Sequence, residues 1–104
     1  MPEKIEILNY LKELKPELYE NGLVSLGLFG SIAKGKQTNS SDIDIVYEST
    51  DKFCLKYQGW NAFTYLNDNL RNKVSQKFHL HVDMFDLNSD SLFGENIRKE
   101  AIYV

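Results

Sequence analysis

Asp42 and Asp44 lie on either side of Ile43 in the run Asp42-Ile43-Asp44-Ile45-Val46-Tyr47, whose apolar alternation predicts a strand. On a strand, residues two apart leave the same face, with Cα atoms about 6.6 Å apart. Two carboxylates at about 6 Å repel by about 2.8 kcal/mol at an effective dielectric near 20, so the pair calls for a cation. Mg²⁺ is the natural one, because it takes hard oxygen ligands and uses one or two carboxylates together with substrate phosphates. A third carboxylate, Asp83, is available from the alternating run HLHVDMFDL over His79 to Leu87. Three such groups suit a site for two metal ions and in-line displacement at phosphorus, and Asp83 could also take the nucleophile's proton. Upstream, Gly30-Ser31 follows an apolar run and places backbone N–H groups and a hydroxyl where a triphosphate could sit. Lys34 is the nearby cation suited to touch a phosphate, as a point charge.

The elements that must hold these residues follow from periodicity. Ile5, Leu8, Leu11, Leu14 and Leu18 predict a helix over residues 3–20, with Pro16 kinking or restarting it and Asn21-Gly22 ending it. LVSLGLF over Leu23 to Phe29 reads as a buried strand closed by the Gly30 turn, and Lys34 to Ser41 as a polar connection to the Asp42–Tyr47 strand. Trp60, Phe63, Leu66, Leu70 and Val74 predict a helix, His79–Leu87 a third strand, and Asn88-Ser89-Asp90-Ser91 the start of a last helix carrying Leu92, Phe93, Ile97 and Ala101. The expected fold is α/β (α+β), a small mixed sheet with helices packed on it.

With 104 residues, 42% hydrophobic, 26% charged and a net charge of -3, residues 1–104 are expected to form a single globular domain without internal repeats. A chain of this length buries roughly 65% of its unfolded surface, enough for one core but not for a separate substrate domain. Any substrate must be small or bring its own structure. One cysteine, Cys54, excludes an internal disulfide and points to a reducing compartment, the cytoplasm. No signal peptide or membrane span is expected, since no run of about 18 apolar residues occurs. Direct nucleic-acid binding is not expected from a slightly acidic chain without a basic cluster.

Other readings compete at several positions. Gly30 to Lys36 spells G-x-x-x-x-G-K, but a P-loop needs Ser or Thr next and position 37 is Gln. His79, His81 and Asp83 would share one strand face, which raises a transition-metal site. Cys54, without an electropositive neighbourhood, reads as packing rather than as a nucleophile. Asp86 should point away from Asp83 by alternation, and Trp60, Phe63 and Tyr65 read as core or partner surface rather than base-stacking residues.

Gly30-Ser31, ten residues, then Asp42-Ile43-Asp44 resembles the GS-x10-DxD signature of the DNA polymerase β-like nucleotidyltransferase superfamily. More narrowly, FGSIAKGKQTNSSDIDIVYE resembles the minimal nucleotidyltransferases, with Val82-Asp83-Met84-Phe85 matching their later strand and Glu95 to Val104 similar to their C-termini. Many relatives have Arg where this chain has Ile32 and Lys34. The resemblance implies transfer of AMP from ATP, or of another nucleoside monophosphate from its triphosphate, to an acceptor hydroxyl, with Mg²⁺, two ions, as cofactor. Asp42, Asp44 and Asp83 would be the catalytic and metal-holding set, with Gly30, Ser31 and Lys34 on the nucleotide. It also implies an antitoxin whose partner is a HEPN-domain toxin, modified on a tyrosine and held in a hetero-oligomer. Two alternatives stay open: an antitoxin that neutralises its HEPN partner sterically without catalysis, and a small-molecule nucleotidyltransferase.

Overall fold

The computed structural model describes residues 2–36, 42–88 and 92–104, without the side chains of 92 and 93. Gln37 to Ser41 and Ser89 to Ser91 lie outside the described residues. So do the P-loop alternative's residue 37 and part of the last helix's expected start.

Four strands form one mixed sheet in the order β3-β2-β1-β4, as the alternating runs predict for the first three. β1 (Leu23–Phe29) runs antiparallel to β2 (Ile43–Ser49), and β2 runs parallel to β3 (Val82–Asp86). The parallel pair requires a crossover, supplied by α3 (Asp51–Lys56), α4 (Trp60–Leu66), a π-helical turn (Asn67–Arg71) and α5 (Asn72–Phe78). The expected helix from Trp60 onward is therefore present, with one π turn inside it. α3 had no sequence expectation, being six residues long.

One sheet face carries the main core. Leu26, Leu28, Ile43 and Ile45 are fully buried against Ile7 and Leu11 of α1 (Lys4–Glu20) and against Leu70 and Val74 of the crossover. Burying each such side chain contributes roughly 1.5–3 kcal/mol. The other face holds a smaller cluster in which Val46 and Leu87 meet Ile97 of α6 (Leu92–Glu100), with Phe29, Phe85 and Ala101 packed around them. α6 ends before Ala101, one residue short of the expectation, and the chain continues into β4 (Ile102–Tyr103). β4 was not expected. Two residues carry no readable alternation, and the pairing depends on Gly27, where a Cβ would stand 2.7 Å from the Ile102 carbonyl oxygen.

α1 is one continuous helix rather than two, with Pro16 inside it. Pro16 is exposed and so is Lys12, whose carbonyl loses its helical partner on the solvent side of the helix. Pro16→Ala should therefore raise stability by about 2 kcal/mol, the helix-propensity difference less the entropy that proline removes from the unfolded chain. Urea unfolding followed by circular dichroism measures it. Among the described residues, no helix is long and apolar enough to cross a membrane.

Candidate active site

Both strands that carry the aspartates begin at one end of the sheet. Asp44 stands opposite Asp83 in the parallel register, and the Ile43 N–H donates to the His81 carbonyl at 2.9 Å, which draws Asp42 beside His81. Asp42 itself lies one residue before the strand that was expected to include it. Ligand atoms of Asp42, His81 and Asp83 all lie within 4.8 Å of one another. His81 Nε2 is 3.0 Å from Asp83 Oδ1, and both residues are exposed.

His79 is not part of this face. It occupies the left-handed C-cap of α5 at φ 56°, so the expected alignment of His79, His81 and Asp83 on one strand reduces to His81 and Asp83. The strand starts only at Val82, because the chain must first turn out of the helix. His81 is the residue that sequence reasoning set apart from the carboxylate site, and its spacing of two from Asp83 was the available signal.

The Asp44 carboxylate is held from behind by the turn after β1. Gly30 opens the short α2 (Gly30–Ala33) at φ +77°, and a Cβ there would overlap the Asp44 carboxylate oxygen. The glycine thus serves both a left-handed backbone and a close approach. Ser31 follows in the first turn of α2, and Ile32 is fully buried in the main core. An apolar residue fits at position 32 because that side chain points inward, away from any phosphate. Lys34 Nζ sits 3.2 Å from Glu100 with both side chains about half exposed, an ion pair worth at most about 1 kcal/mol and easily exchanged for another anion.

Burial pushes the Asp44 carboxyl above its usual range, and the charges of Asp83 and then Asp42 push it further, with His81 opposing them. The donor set therefore fits a hard divalent cation: carboxylates on or beside two adjacent strands, with Asp44 crowded enough to disfavour its own ionisation. The sign of the pH effect follows. A carboxyl with a raised folded pKa stabilises the fold fully below its unfolded pKa of 3.8 and loses that contribution as pH rises through the folded value. In EDTA at neutral pH, Asp44→Asn should melt above the wild type, with the difference vanishing in acid below that unfolded pKa. Adding Mg²⁺ should raise the wild-type melting temperature and close the gap, which a pair of thermal melts will show.

Two expectations elsewhere need correction or placement. Cys54 is exposed rather than packed, because α3 turns it away from the core while Phe53 faces inward. Asp86 does lie on the sheet face opposite Asp83, where it accepts the Asn88 N–H at 2.8 Å.

A family model described as polymerase beta, nucleotidyltransferase matches residues 6–104. The chain belongs to this nucleotidyltransferase family. Two proteins of Methanocaldococcus jannaschii provisionally named protein adenylyltransferases are similar to it. One, MJ1215, is 39% identical over 81% of this chain and 88% of its own; the other, MJ0126, is 30% identical over 95% of each. Among solved structures, a candidate minimal nucleotidyltransferase superposes with a TM-score of 0.70 at 17% identity, covering 97% of this chain and 95% of that one, a likeness of fold. A chain of a toxin–antitoxin crystal structure solved with AMP-PNP superposes with a TM-score of 0.64 at 26% identity, over 91% of this chain and 69% of that one. The mixed sheet with its flanking helices is the polymerase β-like fold, and this chain is a nucleotidyltransferase.

Proposed function

We propose that this nucleotidyltransferase is a protein adenylyltransferase that moves AMP from ATP to a tyrosine hydroxyl of a HEPN-domain toxin and thereby acts as its antitoxin, in a complex with it. The observation that carries the reading is the grouping of Asp42 and Asp83 with His81 at one end of the sheet, where Asp44 stands opposite Asp83 and against the Gly30 turn. The provisional names of the two archaeal relatives support protein as the acceptor class, and the toxin–antitoxin neighbour with AMP-PNP supports a toxin partner and an adenine nucleotide.

Asp42, Asp44 and Asp83 would hold Mg²⁺, two ions, whose chemistry is to neutralise the phosphates and stabilise charge developing at phosphorus. Gly30 and Ser31 would cradle the triphosphate, and Lys34 would leave Glu100 for a phosphate oxygen. Asp83 would accept the proton as the acceptor oxygen attacks the α-phosphorus. The bond from that phosphorus to the bridging oxygen breaks, and pyrophosphate leaves. With a sheet end this open, the acceptor must come on a structured partner.

Intact-mass spectrometry of the toxin after incubation with this protein, ATP and Mg²⁺ tests the reading. Whole AMP increments are expected. An unchanged toxin mass combined with full neutralisation would replace the enzyme reading with steric complexation.

A further inference from the structure

Within the carboxylate site stands one side chain of a different donor type, the imidazole of His81. The Ile43 N–H donates to the His81 carbonyl at 2.9 Å, which ties the backbone of residue 81 to the start of β2, beside Asp42. From there His81 Nε2 reaches to 3.0 Å from Asp83 Oδ1. A ligand atom of Asp42 joins these two, all three lying within 4.8 Å of one another. Among the described residues this is the one such group, and Asp44, against the Gly30 turn, is not in it.

Fold stability does not account for the His81 and Asp83 pair. The two side chains are 63% and 54% exposed, and a contact that open contributes at most about 1 kcal/mol. The spacing does match the needs of an ion. Neighbouring ligands at about 2.1 Å from an octahedral cation stand about 3 Å apart. That is the separation of Nε2 and Oδ1. Opposed ligands of such an ion stand about 4.2 Å apart, so Asp42 reaches the same ion after a small side-chain rotation.

Donor type then decides which ion is held. Mg²⁺ dehydrates reluctantly and takes hard oxygen ligands, so an imidazole beside two carboxylates adds little to its binding. Imidazole suits the first-row transition ions. Among these, Mn²⁺ also keeps the octahedral oxygen coordination that carboxylates and phosphates supply.

We propose that His81 is a ligand, through Nε2, of one of the two cations, and that it makes this position prefer Mn²⁺ to Mg²⁺. The neutral ring then carries its proton on Nδ1. The assignment rests on the reading above that Asp42 and Asp83 hold the cations of a nucleotide transfer.

The chain has two histidines, so the source of a nitrogen ligand is open to a direct test. Mn²⁺ alone is added to the intact protein, and electron spin-echo modulation from directly bound nitrogen is recorded. The modulation is expected in the wild type and in His79→Asn, since asparagine tolerates the left-handed φ of 56° at that position. It is expected to vanish in His81→Asn. Calorimetric titrations with MnCl₂ and with MgCl₂ should show the ratio of the two affinities falling by about 10-fold or more in His81→Asn, since even the loss of an outer partner costs a metal site that much. The wild-type spectrum carries the test should a variant fold poorly. Mn²⁺ bound to the wild type without nitrogen modulation would overturn His81 as a ligand, with the carboxylate site and the transferase reading intact. Modulation that disappears in His79→Asn instead would overturn it as well. Nitrogen modulation in a protein that transfers no AMP to the toxin would support the ligand and sink the transferase reading. Binding of neither ion would overturn both.

Discussion

Replacing Asp42 and Asp44 together by Asn will lower AMP transfer to the toxin by about 10³-fold or more while leaving the protein folded. The two side chains stand at one end of β2 near Asp83 and His81, where carboxylate charge would hold a divalent cation against a triphosphate. Stabilisation of charge at phosphorus by metal is worth several kcal/mol, and each 1.36 kcal/mol is about tenfold in rate. Stability will move the other way. The wild-type site crowds like charges, with Asp44 raised by burial and by both neighbours, and the amides remove that repulsion. Single-turnover transfer assays alongside thermal melts in EDTA will show an inactive variant that melts no lower than the wild type. If the variant unfolds instead, the carboxylates are structural and the assignment of the site is wrong.

Gly30→Ala will cost about 3 kcal/mol of stability and roughly 10²-fold in transfer, although it adds one methyl group. Alanine at φ +77° carries backbone strain of about 1–3 kcal/mol, and its Cβ would occupy the space of the Asp44 carboxylate. The carboxylate must then move, and displacement of a reacting constellation by about 1 Å is enough for a 10²-fold loss. The contrast with Gly35 provides the control. It too has a positive φ of +73°, but a Cβ there meets nothing within 4 Å, so Gly35→Ala should carry the strain without the loss of transfer. Equal activity losses at the two positions would show that backbone strain, not contact with Asp44, governs the effect.

The candidate site residues and the first three strands were legible from the chain because both obey short-range rules. Alternation around Ile43 and Ile45 sets which face each aspartate leaves, and the glycine after an apolar run marks the turn that closes on them. The period of the apolar residues in α1 likewise outweighed Pro16, since the bond lost there lies on the wet side of the helix. Elements of a few residues escaped: α3 and β4 are too short for any period to register, and β4 exists only because Gly27 admits the Ile102 backbone.

Sequence alone determined the candidate site: two carboxylates two residues apart, a third in a later strand, and a glycine turn upstream. Tertiary structure decided which other groups belong to it and which do not. Parallel pairing of β2 with β3 brings His81 into the carboxylate cluster, while the left-handed end of α5 removes His79. The last residue of α6 gives Lys34 the Glu100 partner, and the π turn carries Arg71 to a cleft on the opposite face. These are contacts between residues far apart in the chain, set by how the helices and sheet pack, and no local periodicity encodes them.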